Sequence, residues 1–219
     1  MINLDKQKLK EELLNEKNLI DVYKTSRVLP FSKQNKKIVL IFSVVSLILS
    51  TTITSEELFQ SITSLSSSLI GTVVTLTGFL IAGYTIFCSV MSPKLSILLF
   101  NFGKIEHDLS ELKRTHLKLI RVFIYCLFYT SILLIINAFS GTSNLIFKFT
   151  EFIFEDASLI FHFTNYLIFN FIIIFFIFLI VQLGAFIFNI YHAIMTAIVA
   201  YPELDKFKIS NNSKKENPH

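Results

Sequence analysis

The sequence predicts an all-α integral membrane protein with four transmembrane helices, some of which extend into the cytoplasm. Hydrophobic residues make up 53% of the 219 residues, and the mean hydropathy is +0.61. Both values exceed those of typical soluble domains. Asp, Glu, Lys and Arg are also absent from long runs that occupy most of the chain, which leaves little room for a separate soluble core.

Residues 1–37 are predicted to form a cytoplasmic amphipathic helix followed by a basic juxtamembrane segment. Leu9, Leu13 and Ile20 would share one face of this helix, and Pro30 would end it. Basic side chains at headgroup depth favour an anionic inner leaflet. The candidates for such a contact, with lipid or with a partner, are Lys33, Lys36 and Lys37. The alternative is a solvated helix with a stop-transfer cluster.

Residues 38–202 form the predicted transmembrane domain, because a helix needs about 20 residues to cross a hydrocarbon core of roughly 30 Å. The expected spans are residues 38–54, 65–91, 122–139 and 163–188. The last span lies in an uncharged run from Ala157 to Pro202, which is longer than one crossing requires. Because Gly184 is the only Gly or Pro in that run before Pro202, we expect a single helix that projects beyond the membrane. Residues 203–219 would be a cytoplasmic tail.

Residues 92–121, between the second and third spans, mix charged residues with leucines and are predicted to form a cytoplasmic helical hairpin. Gly103 marks the expected break. Further candidates for lipid or partner contact lie here, namely Lys104, Lys113 and Arg114.

The distribution of basic residues predicts the orientation, since Lys and Arg are retained on the cytoplasmic side. Nine lie before the first span, six between spans two and three, and four in the tail. The two remaining loops contain Lys148 alone, beside five acidic residues. Both termini are therefore expected in the cytoplasm.

The second span contains a stripe of small residues at alternating spacings of three and four. Such stripes allow close backbone approach between membrane helices. We call this set the small-residue face: Ser64, Ser68, Gly71, Thr75, Gly78, Ala82, Thr85 and Ser89. Packing against another span of the same chain, an oligomer axis and a pore lining are all compatible with the pattern.

The fourth span contains a polar stripe with similar spacing: Gln182, Asn189, His192 and Thr196. Amides and a histidine in an apolar helix should face protein or water. The stripe indicates either the start of a cytoplasmic helix extension or a vestibule or subunit contact.

The sequence gives no support for catalysis. The five histidines lack metal-ligand spacing, and no nucleophile elbow, phosphate-binding glycine loop or pair of carboxylates within a span occurs. We therefore predict no enzyme activity, no catalytic residues, no cofactor and no metal site.

The segment from Thr75 to Val90, which includes TLTGFLIAG, is followed by Met-Ser-Pro-Lys and a basic hairpin. In this it resembles small four-span membrane subunits of bacterial anti-phage systems, in particular the membrane subunit of the Kiwa defence system. The resemblance implies a homo-oligomer in the bacterial inner membrane that anchors a cytoplasmic DNA-binding partner encoded nearby.

The expected function is that of a non-enzymatic scaffold and sensor for anti-phage defence that self-associates, as a tetramer in our working assignment. It would contact membrane lipids and a cytoplasmic protein, without binding nucleic acid directly. A pore-forming effector or small ion channel is the alternative from a different functional class. A membrane chaperone or assembly factor is also compatible with these residues.

Overall fold

The computed structural model describes residues 11–91, 93, 96, 100, 109–140 and 157–213. The described elements belong to the all-α class, as predicted. In chain order they are α1 (Leu19–Ser26), α2 (Lys33–Ser50), α3 (Ser55–Val90), α4 (Glu111–Ser140) and α5 (Ala157–Ser213).

Three of these helices are long and apolar enough to cross a membrane, at Ser55–Val90, Glu111–Phe139 and Leu159–Thr196. The mean hydropathy of their most apolar windows is 1.9, 2.3 and 3.0. Only 17%, 33% and 22% of those windows is buried within the chain. Most of their apolar surface is therefore available for contact with lipid.

Helix α2 is shorter, and three lysines lie in its first five residues. Its 18 residues would span about 27 Å at 1.5 Å per residue. After the lysines, the helix carries a run of exposed large apolar side chains, namely Leu40, Ile41, Phe42, Val44, Val45, Leu47, Ile48 and Leu49.

The N-terminal segment differs from the single amphipathic helix expected over residues 1–37, because the helix is interrupted at residues 14–18. The Asn18 side chain accepts a hydrogen bond from the backbone N–H of Asp21 and caps α1, while Ser32 caps α2 in the same way. Helix α1 ends at Ser26, before Pro30 is reached. Two capping residues therefore divide the segment.

Helix α5 is continuous from Ala157 to Ser213 and includes Pro202. The long uncharged run thus contains no turn that would allow two crossings. The helix extends beyond the point where the sequence predicts the tail to begin.

The chain forms two compact units. The first contains Phe31–Leu80 and Val122–Gly184, and polar bonds link its helices. Asn170 on α5 accepts a hydrogen bond from the Ser46 hydroxyl at 2.8 Å and donates to the Ser50 hydroxyl at 2.7 Å. The buried hydroxyl of Tyr129 on α4 donates to the carbonyl of Ile172 on α5 at 2.6 Å. In a span, such bonds hold helices together where the hydrophobic effect cannot.

The second unit contains Met1–Pro30, Ile81–Arg121 and Ala185–His219. The buried Lys113 ammonium lies 2.8 Å from a carboxylate oxygen of Glu16 and also donates to the carbonyl of Glu12. Arg121, also buried, donates to the carbonyls of Ser26 and Leu29 at 2.9 and 2.7 Å. These bonds attach the N-terminal segment to the first turns of α4.

Candidate self-association face and polar cavity

Helix α3 uses one side for contacts within the chain. The buried residues on this helix recur at helical spacing and include Leu58, Ile62, Ser66, Leu69, Val73, Leu80 and Phe87. Large apolar side chains dominate the set. This arrangement defines the inward side of the helix from its first turn to its last.

The small-residue face lies on the opposite side of α3. Each of its members Ser64, Ser68, Gly71 and Thr75 follows a buried residue by two positions, which is a rotation of about 200° around a helix. All eight residues of the face, from Ser64 to Ser89, are exposed. The alternative that this face packs against another span of the same chain is therefore not the arrangement found.

The space around the glycines of α3 differs between the two sides of the helix. A Cβ atom added to Gly71 or Gly78 would meet nothing within 4 Å, whereas one added to Gly83 would lie 3.2 Å from the Phe186 ring. A side chain at Gly83 would therefore press on Phe186 inside the chain. Gly71 and Gly78 have open space beside them on the outer surface of the helix.

Three hydroxyl groups of the small-residue face are satisfied within α3. Thr75, Thr85 and Ser89 each donate to the carbonyl four residues earlier at 2.9 Å. Because these three donors are already bonded, the half of the face from Thr75 to Ser89 can meet lipid or another helix without burying an unpaired hydroxyl proton. Its oxygen atoms retain lone pairs that can accept further bonds.

The polar stripe of α5 divides into two environments. Gln182 is buried in the first unit. Asn189, His192 and Thr196 line a cavity of about 180 Å³ in the second unit, together with Phe188 and Ala193. Three of the four predicted residues are therefore brought together.

The opposite wall of this cavity comes from α4, and the sequence analysis did not select its residues. They are Glu111, Thr115 and Lys118, spaced by four and then three positions. That spacing places them on one helix face and could have identified the wall. This spacing was not detected from the sequence because other charged residues lie between these positions.

Lys118 is half-buried and forms neither a hydrogen bond nor an ion pair with any described residue. The positive charges of Arg114 and Arg121 act on its ammonium group, and the negative charge of Glu111 acts in the opposite sense. The Glu111 carboxylate is itself paired with Arg114 at 3.1 Å. Lys118 therefore presents a positive charge to the cavity without a close counter-ion among the described residues.

The basic residues suggested for lipid or partner contact fall into different environments. Lys33, Lys36 and Lys37 are exposed at the start of α2. Lys113 and Arg114 are buried, and both bond to acidic groups of this chain. Lys104 lies outside the described residues. Among the described members, the exposed lysines of α2 are the ones available to an external ligand.

Ser55 and His162 form the hydrogen bond in the described chain that most resembles catalytic machinery, with 2.6 Å between the hydroxyl oxygen and Nδ1. Within the described ranges, no carboxylate is bonded to this histidine. The hydrogen bond joins the start of α3 to α5. We therefore assign this pair to helix packing and not to catalysis. The described residues also contain no group of three side chains suited to a metal ion.

Comparisons with models of protein families, with curated proteins and with solved structures give no match.

Proposed function

We propose that this chain is a four-span protein of the bacterial inner membrane with both termini in the cytoplasm. The three apolar helices supply three spans, and α2 is proposed as the fourth. Eight of its ten residues from Leu40 to Leu49 are large apolar side chains exposed on the chain surface. Contact with lipid tails removes this surface from water. The hydrogen bonds of Asn170 and Tyr166 tie α2 to α5.

Cysteine accessibility tests this topology. We would introduce Lys24→Cys or Glu56→Cys into a chain in which Cys88 and Cys126 are replaced by alanine. In spheroplasts, a membrane-impermeant maleimide should label the Glu56→Cys variant but not the Lys24→Cys variant. After lysis both should react. Labelling of the Lys24→Cys variant in intact spheroplasts would contradict the proposed orientation.

The proposed molecular role is self-association through the small-residue face of α3. The observation that carries this proposal is the full exposure of that face, with open space at Gly71 and Gly78. Membrane helices associate through small residues because backbones can then approach closely and gain van der Waals contact. The occupant is a second copy of the same face, and we propose a homo-oligomer, with a tetramer as the working stoichiometry.

A matched pair of glycine variants tests the interface. Gly78→Leu fills the proposed contact, whereas Gly184→Leu adds the same side chain at a glycine on α5 that also has open space around it. We expect only Gly78→Leu to shift the purified protein from oligomer to monomer in light scattering. Equal behaviour of the two variants, or a monomeric wild-type protein, would refute the proposal.

We further propose that the oligomer acts as a scaffold and sensor that recruits a cytoplasmic protein in anti-phage defence, without enzyme activity. The support is the resemblance of the segment Thr75–Val90 and its basic hairpin to such membrane subunits. Purification under mild detergent from the native host should recover a stoichiometric cytoplasmic companion. Recovery of the chain alone would count against this role.

A pore is the second candidate, because the exposed face of α3 is rich in Ser, Thr and Gly and could line water in an oligomer. Ion flux into liposomes that contain the wild-type chain distinguishes the two functions. Flux that disappears with Gly78→Leu and persists with Gly184→Leu would favour the pore. Oligomers without flux would favour the scaffold.

A further inference from the structure

The polar cavity between α4 and α5 lies close to the start of an uncharged segment. Lys118 precedes Val122, the first residue of that segment, by four positions, or about one helical turn. The cavity thus lies where a phospholipid places its headgroup if Val122 begins the span. Its lining also includes the exposed ring of Phe188, a side chain suited to contact the first carbons of an acyl chain.

The charges around the cavity favour an anion. Among the described residues that line it, Glu111 is the one acidic residue, and the Arg114 guanidinium already balances that carboxylate. Among the described residues Lys118 has no hydrogen bond or ion pair, and the positive charges of Arg114 and Arg121 act on it against the negative charge of Glu111. Bringing an anion to a half-buried ammonium relieves the cost of its incomplete hydration.

The neighbouring polar groups supply donors. Asn189 carries an amide NH₂ group, and the His192 ring carries at least one N–H. Together with the three protons of Lys118, these groups come from two helices and border one volume of about 180 Å³. A phosphate group, with several acceptor oxygens on a compact centre, matches this donor set.

We propose that this cavity binds a phosphate group, with Lys118 as the charged ligand and Asn189 and His192 as hydrogen-bond donors. The phosphate belongs either to the headgroup of an anionic phospholipid or to a soluble phosphate compound. The site is separate from the small-residue face and does not depend on self-association.

Lipid binding to the full-length chain in a maltoside detergent tests the site. Native mass spectrometry would compare phosphatidylglycerol with diacylglycerol, which has the same acyl chains and no phosphate. We expect phosphatidylglycerol to bind, Lys118→Gln to weaken it about tenfold, and Asn189→Leu to weaken it several-fold. Lys24→Gln removes an exposed lysine of α1 and should leave binding unchanged.

Inorganic phosphate distinguishes the two sources. In one outcome, inorganic phosphate protects Lys118 from an amine-reactive reagent while the chain retains no phosphatidylglycerol. That result would identify a soluble phosphate compound as the ligand. Equal binding of diacylglycerol and phosphatidylglycerol would overturn the proposal, as would wild-type phosphatidylglycerol binding by both Lys118→Gln and Asn189→Leu. Absence of binding and of protection in the wild-type chain would overturn it as well.

Discussion

Lys113 and Glu16 form a buried ion pair between residues that are far apart in the sequence. Their side chains are 7% and 9% exposed. A buried charge that loses its partner keeps its desolvation cost without the compensating attraction. The pair is therefore more important for attaching the N-terminal segment than an exposed salt bridge would be.

Lys113→Met should lower the free energy of unfolding in detergent by about 3 kcal/mol, because it leaves the Glu16 carboxylate buried and unpaired. Denaturant titration of the purified chain measures this. The double variant Lys113→Met, Glu16→Leu should recover a large part of the loss. Lys24→Met, at an exposed lysine, should have little effect. Equal stability of all three variants would show that the pair contributes nothing.

Gly83 is a second position where a single residue controls packing, since Phe186 and Ile190 occupy the space next to its Cα. Gly83→Leu should lower the free energy of unfolding by about 1–3 kcal/mol through overpacking. Gly184→Leu, which enters open space, should cost much less. Denaturant titration of the two variants, under conditions that keep the chain monomeric, gives the comparison.

At the scale of the elements, α2 depends on its polar bonds to α5. Asn170 contacts both Ser46 and Ser50, and the Tyr166 hydroxyl donates to the carbonyl of Leu47 at 2.8 Å. Interhelical bonds of this kind contribute about 1 kcal/mol each in membranes. They help to hold α2 against α5.

Asn170→Leu should weaken the association of α2 with α5 and lower the free energy of unfolding by about 1–2 kcal/mol, because two interhelical bonds are lost. Thermal unfolding in detergent would measure the change. Ser131→Ala removes an exposed hydroxyl that bonds only within its own helix and should leave stability nearly unchanged. A similar result for both variants would assign the anchoring of α2 to apolar packing alone.

The sequence predicted the long helices well because long apolar runs without charge and without proline have few alternatives to a helix in a membrane. It also placed the small-residue face on one side of α3, since helical spacing fixes which residues share a face. It could not decide what covers that face. That depends on which side of α3 the large residues, such as Leu69 and Val73, use for contacts inside the chain.

The structure of the N-terminal segment was less predictable from the sequence, because it depends on backbone bonds and on distant contacts. Asn18 and Ser32 cap new helices, but each is compatible with a continuous helix until its backbone bonds are known. Lys113 belongs to a visible basic cluster, yet its partner Glu16 lies almost a hundred residues earlier. Contacts across such separations are not encoded in local spacing.

For the molecule as a whole, the exposed apolar surface predicts its behaviour during extraction. The described chain exposes large hydrophobic residues along α2, α3, α4 and α5, far more than a soluble surface tolerates. An alkaline carbonate wash of isolated membranes should leave the chain in the pellet, and only detergent should release it. Release by carbonate, in a blot of both fractions, would contradict membrane integration.

The bonds of Arg121 also impose an order on biogenesis. The carbonyl of Ser26 receives its guanidinium donor from 95 residues further along the chain. A ribosome that adds about 5–20 residues per second needs roughly 5 to 20 s to make that stretch. Helices α2 and α3 are complete before the donor exists. The amino-terminal segment therefore docks late in assembly. In a nascent chain that is stalled before α4, a protease should cleave this segment.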